Sequence, residues 1–160
     1  MAFNGVALSP DGRTLALVGS DGAVQLWDVA TREPFAEPLQ GLGTANGVAF
    51  SPDGKTLAIA SGDVRLWDTT SLELRGEPLR GHDGAVSSVA FSPDGETLAS
   101  VGRDGTVWLW DLRPTSWITL ACGRANRNLS LSEWRRYAGK DAPYEKVCPE
   151  LPPGEGIPAK

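Results

Sequence analysis

The sequence predicts an all-β fold made of short antiparallel sheets repeated along the chain. Three observations predict it. Two motifs recur in phase: "SPDG" at 9–12, 51–54 and 92–95, and "LWD" at 26–28, 66–68 and 109–111, with successive copies 40 to 43 residues apart. Between the motifs, apolar and polar residues alternate with the period of a strand. Glycine is abundant, 19 of 160 residues, as in turn-rich all-β chains.

Repeat 3 spells out the elements in order. "AVSSVAF" alternates Val86, Ser88 and Ala90 against Ser87, Val89 and Phe91, which makes a first strand. "SPDG" is a turn: Pro93 presets φ, Asp94 bonds locally and Gly95 accepts positive φ. "TLASV" is the second strand, and Arg103-Asp104-Gly105 closes a hairpin, Asp-Gly being its strongest signal. "TVWLWD" is the third strand, β-branched and aromatic as a packed sheet prefers. In repeats 1 and 2 the chain then reaches "EPLQG" or "EPLRG", a fourth strand. Pro38 and Pro78 have no N–H to donate, so that strand belongs on the outer edge of its sheet. Repeat 2 has 15 residues from SPDG to LWD where the others have 17. The missing pair falls at the hairpin. Losing two residues keeps the side-chain alternation, so a loop shortens and the core survives.

With these residues in view, the chain resembles the WD-repeat β-propellers over about residues 3–121. A period of roughly 40–45 with a Trp-Asp signature is that of a propeller blade. The resemblance implies four-stranded blades around a channel, each repeat supplying three inner strands of one blade and the outer strand of the next. It also implies a structural hydrogen-bond set: His before the first strand, Ser or Thr on the second, Asp in the hairpin, Trp on the third. Repeat 3 holds all four as His82, Ser100, Asp104 and Trp110. Repeat 2 has Leu42 for the His and Ile59 for the Ser but keeps Trp67. Repeat 1 has Leu17 for the Ser and keeps Asp21 and Trp27. Blades 1 and 2 are therefore expected to rest more on apolar packing. The family gathers hairpin loops and pre-strand loops on one face where partners dock. Here those loops hold Ser20, Asp21, Asp63, Asp83 and Arg103, which stand as the candidate partner-binding face.

Other readings of the motifs fare worse. Ser100, His82 and Asp104 invite comparison with a catalytic triad, but the resemblance places them in a buried structural set, and no G-x-S-x-G elbow occurs. "GLGTANG" at 41–47 has its third Gly misplaced for a dinucleotide fingerprint and precedes a strand where a helix is needed. "GKT" at 54–56 lacks the earlier Gly of a phosphate loop, Ala49 standing there. One His and two distant Cys give little support to a metal site. No enzyme activity and no cofactor are expected. Residues 1–111 carry 7 Lys/Arg against 15 Asp/Glu, a net −8; residues 112–160 carry 8 against 5. An acidic body argues against a nucleic-acid partner, because phosphate binding needs a basic face. No apolar run approaches the ~18 residues of a membrane helix, and the first residues do not read as a signal peptide. A cytoplasmic protein with no membrane partner is expected.

The tail reads as a second region, 122–160. Ser130-x-x-Glu133 is a capping box, Leu129 and Trp134 form a hydrophobic staple, and Gly139 supplies a stop. The spacing predicts a short helix over 131–138 packed on the propeller through Leu131, Trp134 and Tyr137. "ACGRANRNLSLSEWRRYAG" with "PYEKVCP" resembles the segment ending many long bacterial WD-repeat signalling proteins, among them STAND-class NTPases and serine/threonine-kinase fusions. That implies a bacterial origin and a sensor-type propeller, with a fragment of such a protein as the alternative to an autonomous one. Cys122 and Cys148 bracket the helix; two free thiols and a disulfide between them both stay open.

Three blades fall short of the ~4–8 of a propeller. The chain starts on an inner strand, with no outer strand ahead of it, and "TSWITLAC" at 115–122 adds an outer strand at its end. The expectation is a half-propeller that closes by oligomerisation, most simply a homodimer of six blades. In it the strand bearing Trp117, Ile118 and Leu120 completes blade 1 of the other copy. The expected role is a protein-binding scaffold.

Overall fold

A computed structural model of the chain describes residues 2–35, 37–39 and 43–113. One compact unit spans Met1–Asp111. Its strands are β1 (Phe3–Leu8), β2 (Thr14–Gly19), β3 (Val24–Asp28), β4 (Glu33–Pro34), β5 (Gly47–Phe50), β6 (Thr56–Ala60), β7 (Val64–Asp68), β8 (Val86–Phe91), β9 (Thr97–Gly102) and β10 (Val107–Asp111). They form three antiparallel sheets, ordered β1-β2-β3-β4, β5-β6-β7 and β8-β9-β10. We refer to them as sheets 1, 2 and 3. Among the described residues there is no helix, and so none long and apolar enough to cross a membrane.

The recurring motifs build identical turns. In each SPDG the Asp carboxylate takes the Ser hydroxyl and the backbone N–H two residues on: Asp11 from Arg13, Asp53 from Lys55, Asp94 from Glu96. The Ser hydroxyl oxygen in turn accepts from the N–H of Thr14, Thr56 or Thr97, the first residue of the next strand. Gly12, Gly54 and Gly95 sit at φ near +70°, which only Gly adopts freely. The Asp of the first two LWD motifs opens the next turn. Asp28 accepts from the N–H of Ala30 and Thr31, and Asp68 from Thr70 and Ser71.

The short hairpin of repeat 2 leaves the register intact. Thr56 pairs with Asp68 as Thr14 pairs with Asp28 and Thr97 with Asp111. The outer strand is less regular than the alternation implied. In sheet 1 it is β4 and then a bridge from Leu39 to Val24; in sheet 2 it is two bridges, Leu74 to Trp67 and Leu79 to Val64. Pro38 and Pro78 lie next to the second bridge on this outer edge.

This corrects one expectation. Sheet 1 has its own outer strand, supplied by the residues that follow its third strand, so its four strands are consecutive in the chain. The position that Trp117, Ile118 and Leu120 were expected to fill in a second copy is already occupied. Those three residues lie outside the described residues. So do Leu42, the helix over 131–138, and Cys122 and Cys148.

The sheets pack face to face in sequence. Ala16, Val18, Val24 and Leu26 of sheet 1 form a core with Leu57 and Ile59 of sheet 2, joined by Val48, Phe50 and Trp67. On the opposite side of sheet 2, β5 and β6 lie against β8 of sheet 3. Each sheet thus has a Trp-bearing face that receives the preceding sheet and a small-residue face that packs on the following one. Two faces remain unmatched within the unit. One is the Trp27 face of sheet 1, where Val6 is 64% and Leu8 58% exposed. The other is the small-residue face of sheet 3, where Val107 is 66% and Leu109 70% exposed.

Candidate functional site

Sheet 3 brings His82, Ser100, Asp104 and Trp110 into one connected network. His82 Nδ1 lies 3.1 Å from Asp104 Oδ2, His82 Nε2 lies 2.8 Å from Ser100 Oγ, and Trp110 Nε1–H donates to Ser100 Oγ at 2.9 Å. The chemistry gives the chain one direction. An ionised Asp104 only accepts, so Nδ1 carries the proton; in the neutral imidazole Nε2 then accepts from the Ser100 hydroxyl, whose oxygen accepts from Trp110. Asp104 also accepts from the N–H and hydroxyl of Thr106 and from the N–H of Asp83. Led by the Thr106 N–H, these bonds hold its carboxyl well below the usual carboxylate range. Trp108 stacks on Trp110 with ring centroids 5.3 Å apart.

The connectivity is that of a nucleophilic triad, but the setting is not. Ser100 is 1% exposed, the His82 side chain 2%, and the hydroxyl is committed to both His82 and Trp110. No substrate carbonyl can reach it. The network instead ties the loop before β8 to β9, the hairpin and β10.

Among the described residues, the equivalent positions of the other sheets carry no such network. In sheet 1, Leu17 replaces the Ser and Trp27 Nε1–H turns to Gln25 Oε1 at 3.1 Å. In sheet 2, Ile59 replaces the Ser, and Trp67 Nε1 is buried with no hydrogen-bond partner among the described residues. Asp63 there pairs with Arg65 at 3.0 Å.

Three contributors to the network escaped the sequence reading: Thr106, Trp108 and Gly102. A Cβ on Gly102 would overlap the His82 ring and the Asp104 carboxylate. The signal existed, since "VGSDG" and "VGRDG" share that Gly in repeats 1 and 3.

The loop face also takes shape. Ser20 N–H bonds Ala2 O, Ala45 N–H bonds Gly19 O, Val86 N–H bonds Ser61 O and Arg103 N–H bonds Ala85 O, so hairpin and pre-strand loops are laced together by backbone. Of the five residues singled out there, Asp21 is engaged in its turn with Ala23 N–H, and Asp63 is paired with Arg65. Ser20, Asp83 and Arg103 are exposed, and their side chains form no hydrogen bond or ion pair among the described residues. A cleft of about 300 Å³ lined by Asp63, Leu79, Arg80 and His82 opens on the same side. Among the described residues no group of three or more His, Cys, Asp or Glu is placed to hold a metal ion.

No curated protein matches the chain. The family model for "WD domain, G-beta repeat" matches residues 2–28, 39–68 and 74–111, each match covering the first three strands of one sheet and the three together more than half of the sequence. With its repeat period, its turns and the complete network of sheet 3, the chain belongs to the WD40 family.

Proposed function

We propose that the chain is a non-enzymatic protein-interaction scaffold that assembles with a second copy of itself into six blades and presents its loop face to a protein or peptide partner. WD40 repeats support the interaction role. The self-assembly rests on one observation: the two unmatched faces are of the two kinds that pack on each other inside the chain. Sheet 3 offers Val101, Val107 and Leu109 on the kind of face that sheet 1 turns to sheet 2. Sheet 1 offers Val6, Leu8, Leu15 and Leu17 around Trp27, on the kind of face that sheets 2 and 3 turn to their predecessors. Two copies related by a twofold axis bury both pairs at once. Apolar faces of this extent are seldom left in water. The association joins sheet faces; it exchanges no strand, because sheet 1 already has its outer edge.

Light scattering of the full chain over a range of concentrations tests this. Twice the mass of the chain is expected. A single-chain mass at every concentration overturns the self-assembly, and a threefold mass replaces the six-bladed ring with a nine-bladed one.

A further inference from the structure

The two junctions inside the chain share a device at their inner edge. Asn4 Nδ2 donates to Ala45 O, from sheet 1 to sheet 2, at 2.9 Å. Asn46 Nδ2 donates to Val86 O, from sheet 2 to sheet 3, also at 2.9 Å. Both Asn stand five residues before the Ser of SPDG, and each acceptor stands one residue before the same position in the next repeat. Asn4 sits in a bulge of β1, where the register skips from Phe3 to Gly5, and a bulge re-aims its side chain.

A Gly follows each Asn, and each is needed for a close approach. A Cβ on Gly47 would lie 2.9 Å from Ser88 Cα and 3.1 Å from Ser87 O. One on Gly5 would lie 3.2 Å from Asn46 O and 3.3 Å from Gly47 Cα. The inner strands meet at glycine, and the Asn amide closes the gap beside it. A backbone bond completes each junction, Ala45 N–H to Gly19 O at 3.2 Å and Val86 N–H to Ser61 O at 2.7 Å.

Sheet 3 departs at both side-chain positions. Ser87 occupies the bulge of β8 where the Asn belongs, and its hydroxyl ends one bond short of an Asn amide. Ser88, which is exposed, stands where the Gly belongs. The carbonyl is retained, as Gly102 O holds the place of Gly19 O and Ser61 O. We propose that Ser87 and Ser88 make the junction between copies a reversible seam. There the second copy's sheet 1 packs on Val107 and Leu109, and its Phe3 N–H reaches Gly102 O. No amide closes the gap, and the Ser88 Cβ holds the inner strands further apart than within either copy. The ring therefore opens at this seam while each three-sheet arc stays folded. The inference rests on the self-assembly proposed above.

Sedimentation equilibrium on the full chain tests it with S87N/S88G, with S87N alone in case the added glycine loosens β8, and with N46A. A hydrogen bond's net worth corresponds to about tenfold in an equilibrium constant. S87N/S88G is expected to tighten self-association by about tenfold or more, and S87N alone to tighten it less. N46A is expected to lower the melting temperature and leave the association constant within about twofold. If the wild type dimerises and neither serine variant tightens the dimer, the seam is overturned and the self-assembly stands. If wild type and variants all run as single chains, the self-assembly falls and the seam with it.

Discussion

At the scale of single residues, the Ser hydroxyl and the single His of the chain set sheet 3 apart from the other two. Ser100 lets Trp110, His82 and Asp104 bond in a chain, while Leu17 and Ile59 leave their Trp residues to other arrangements. Replacing His82 with Ala strands the Ser100 hydroxyl and one Asp104 bond in a buried place. The expected cost is about 1–3 kcal/mol in urea denaturation, and a wild-type midpoint would count against the network. Sheet 2 offers the converse. A core hydroxyl without a partner costs about 1–3 kcal/mol, but at Ile59 the unpaired Trp67 N–H is waiting. Ile59→Thr is therefore expected within about 1 kcal/mol of the isosteric Ile59→Val in the same assay. A larger gap would show that the hydroxyl does not meet the indole. The carboxylates give a pH signature. Asp104, Asp11, Asp53, Asp28 and Asp68 are all held below their ordinary values, chiefly by hydrogen bonds from Thr106, Ser9, Ser51, Thr31 and Ser71 respectively. A lowered folded value stabilises above the unfolded value, near pH 4, and that stabilisation drains as pH falls toward the folded one. Stability measured from pH 7 to pH 3 should be lost below about pH 4, and Asp104→Asn should make that acid limb shallower. An unchanged limb would remove Asp104 from the account.

At the scale of elements, the outer strands follow a common count. Phe35 N–H donates to Leu26 O at 3.1 Å and Arg75 N–H to Leu66 O at 2.8 Å, each nine residues after its acceptor. The same count from Leu109 arrives at Ile118, while β10 is the outermost described strand of its sheet. Ile118 lies outside the described residues, and an Ile118→Pro variant checks whether the count extends to it: a loss of about 1–3 kcal/mol of fold stability is expected. The variant should leave self-association unchanged. The sequence by itself suggested the reverse, a strand given to another copy, because it did not reveal whether sheet 1 was already complete. A weakened dimer with wild-type stability would restore the exchange.

At the scale of the whole molecule, the terminal faces govern behaviour. Leu109 is 70% exposed on the open side of sheet 3, so a lysine there costs the arc itself little but places a charge where the second copy would pack. Leu109→Lys is expected to scatter as a single chain at concentrations where the wild type is a dimer, and to melt as the wild type does only at dilutions where the wild type is also a single chain. A dimer that survives this change would have to use another surface.

The three-sheet plan was legible in the sequence because it depends on local chemistry. SPDG needs its Ser, Asp and Gly for a turn that closes on itself, strand alternation follows the pleat, and Pro38 and Pro78 can stand only at an edge. Four of the network's residues were legible for the same reason, each at a fixed offset from a motif. The rest depends on neighbours distant in sequence. Gly102 matters because His82 arrives above it from twenty residues away, and Gly5 and Gly47 matter because another sheet's backbone passes there. The ownership of the outer strand, the orphaned indole of Trp67, and the Asn-Gly junctions that sheet 3 answers with Ser-Ser were decided only by the packing of one sheet on the next. Repetition in a sequence states what each sheet is made of; the distance between sheets depends on side chains from both sides of a junction, and only the folded chain sets them face to face.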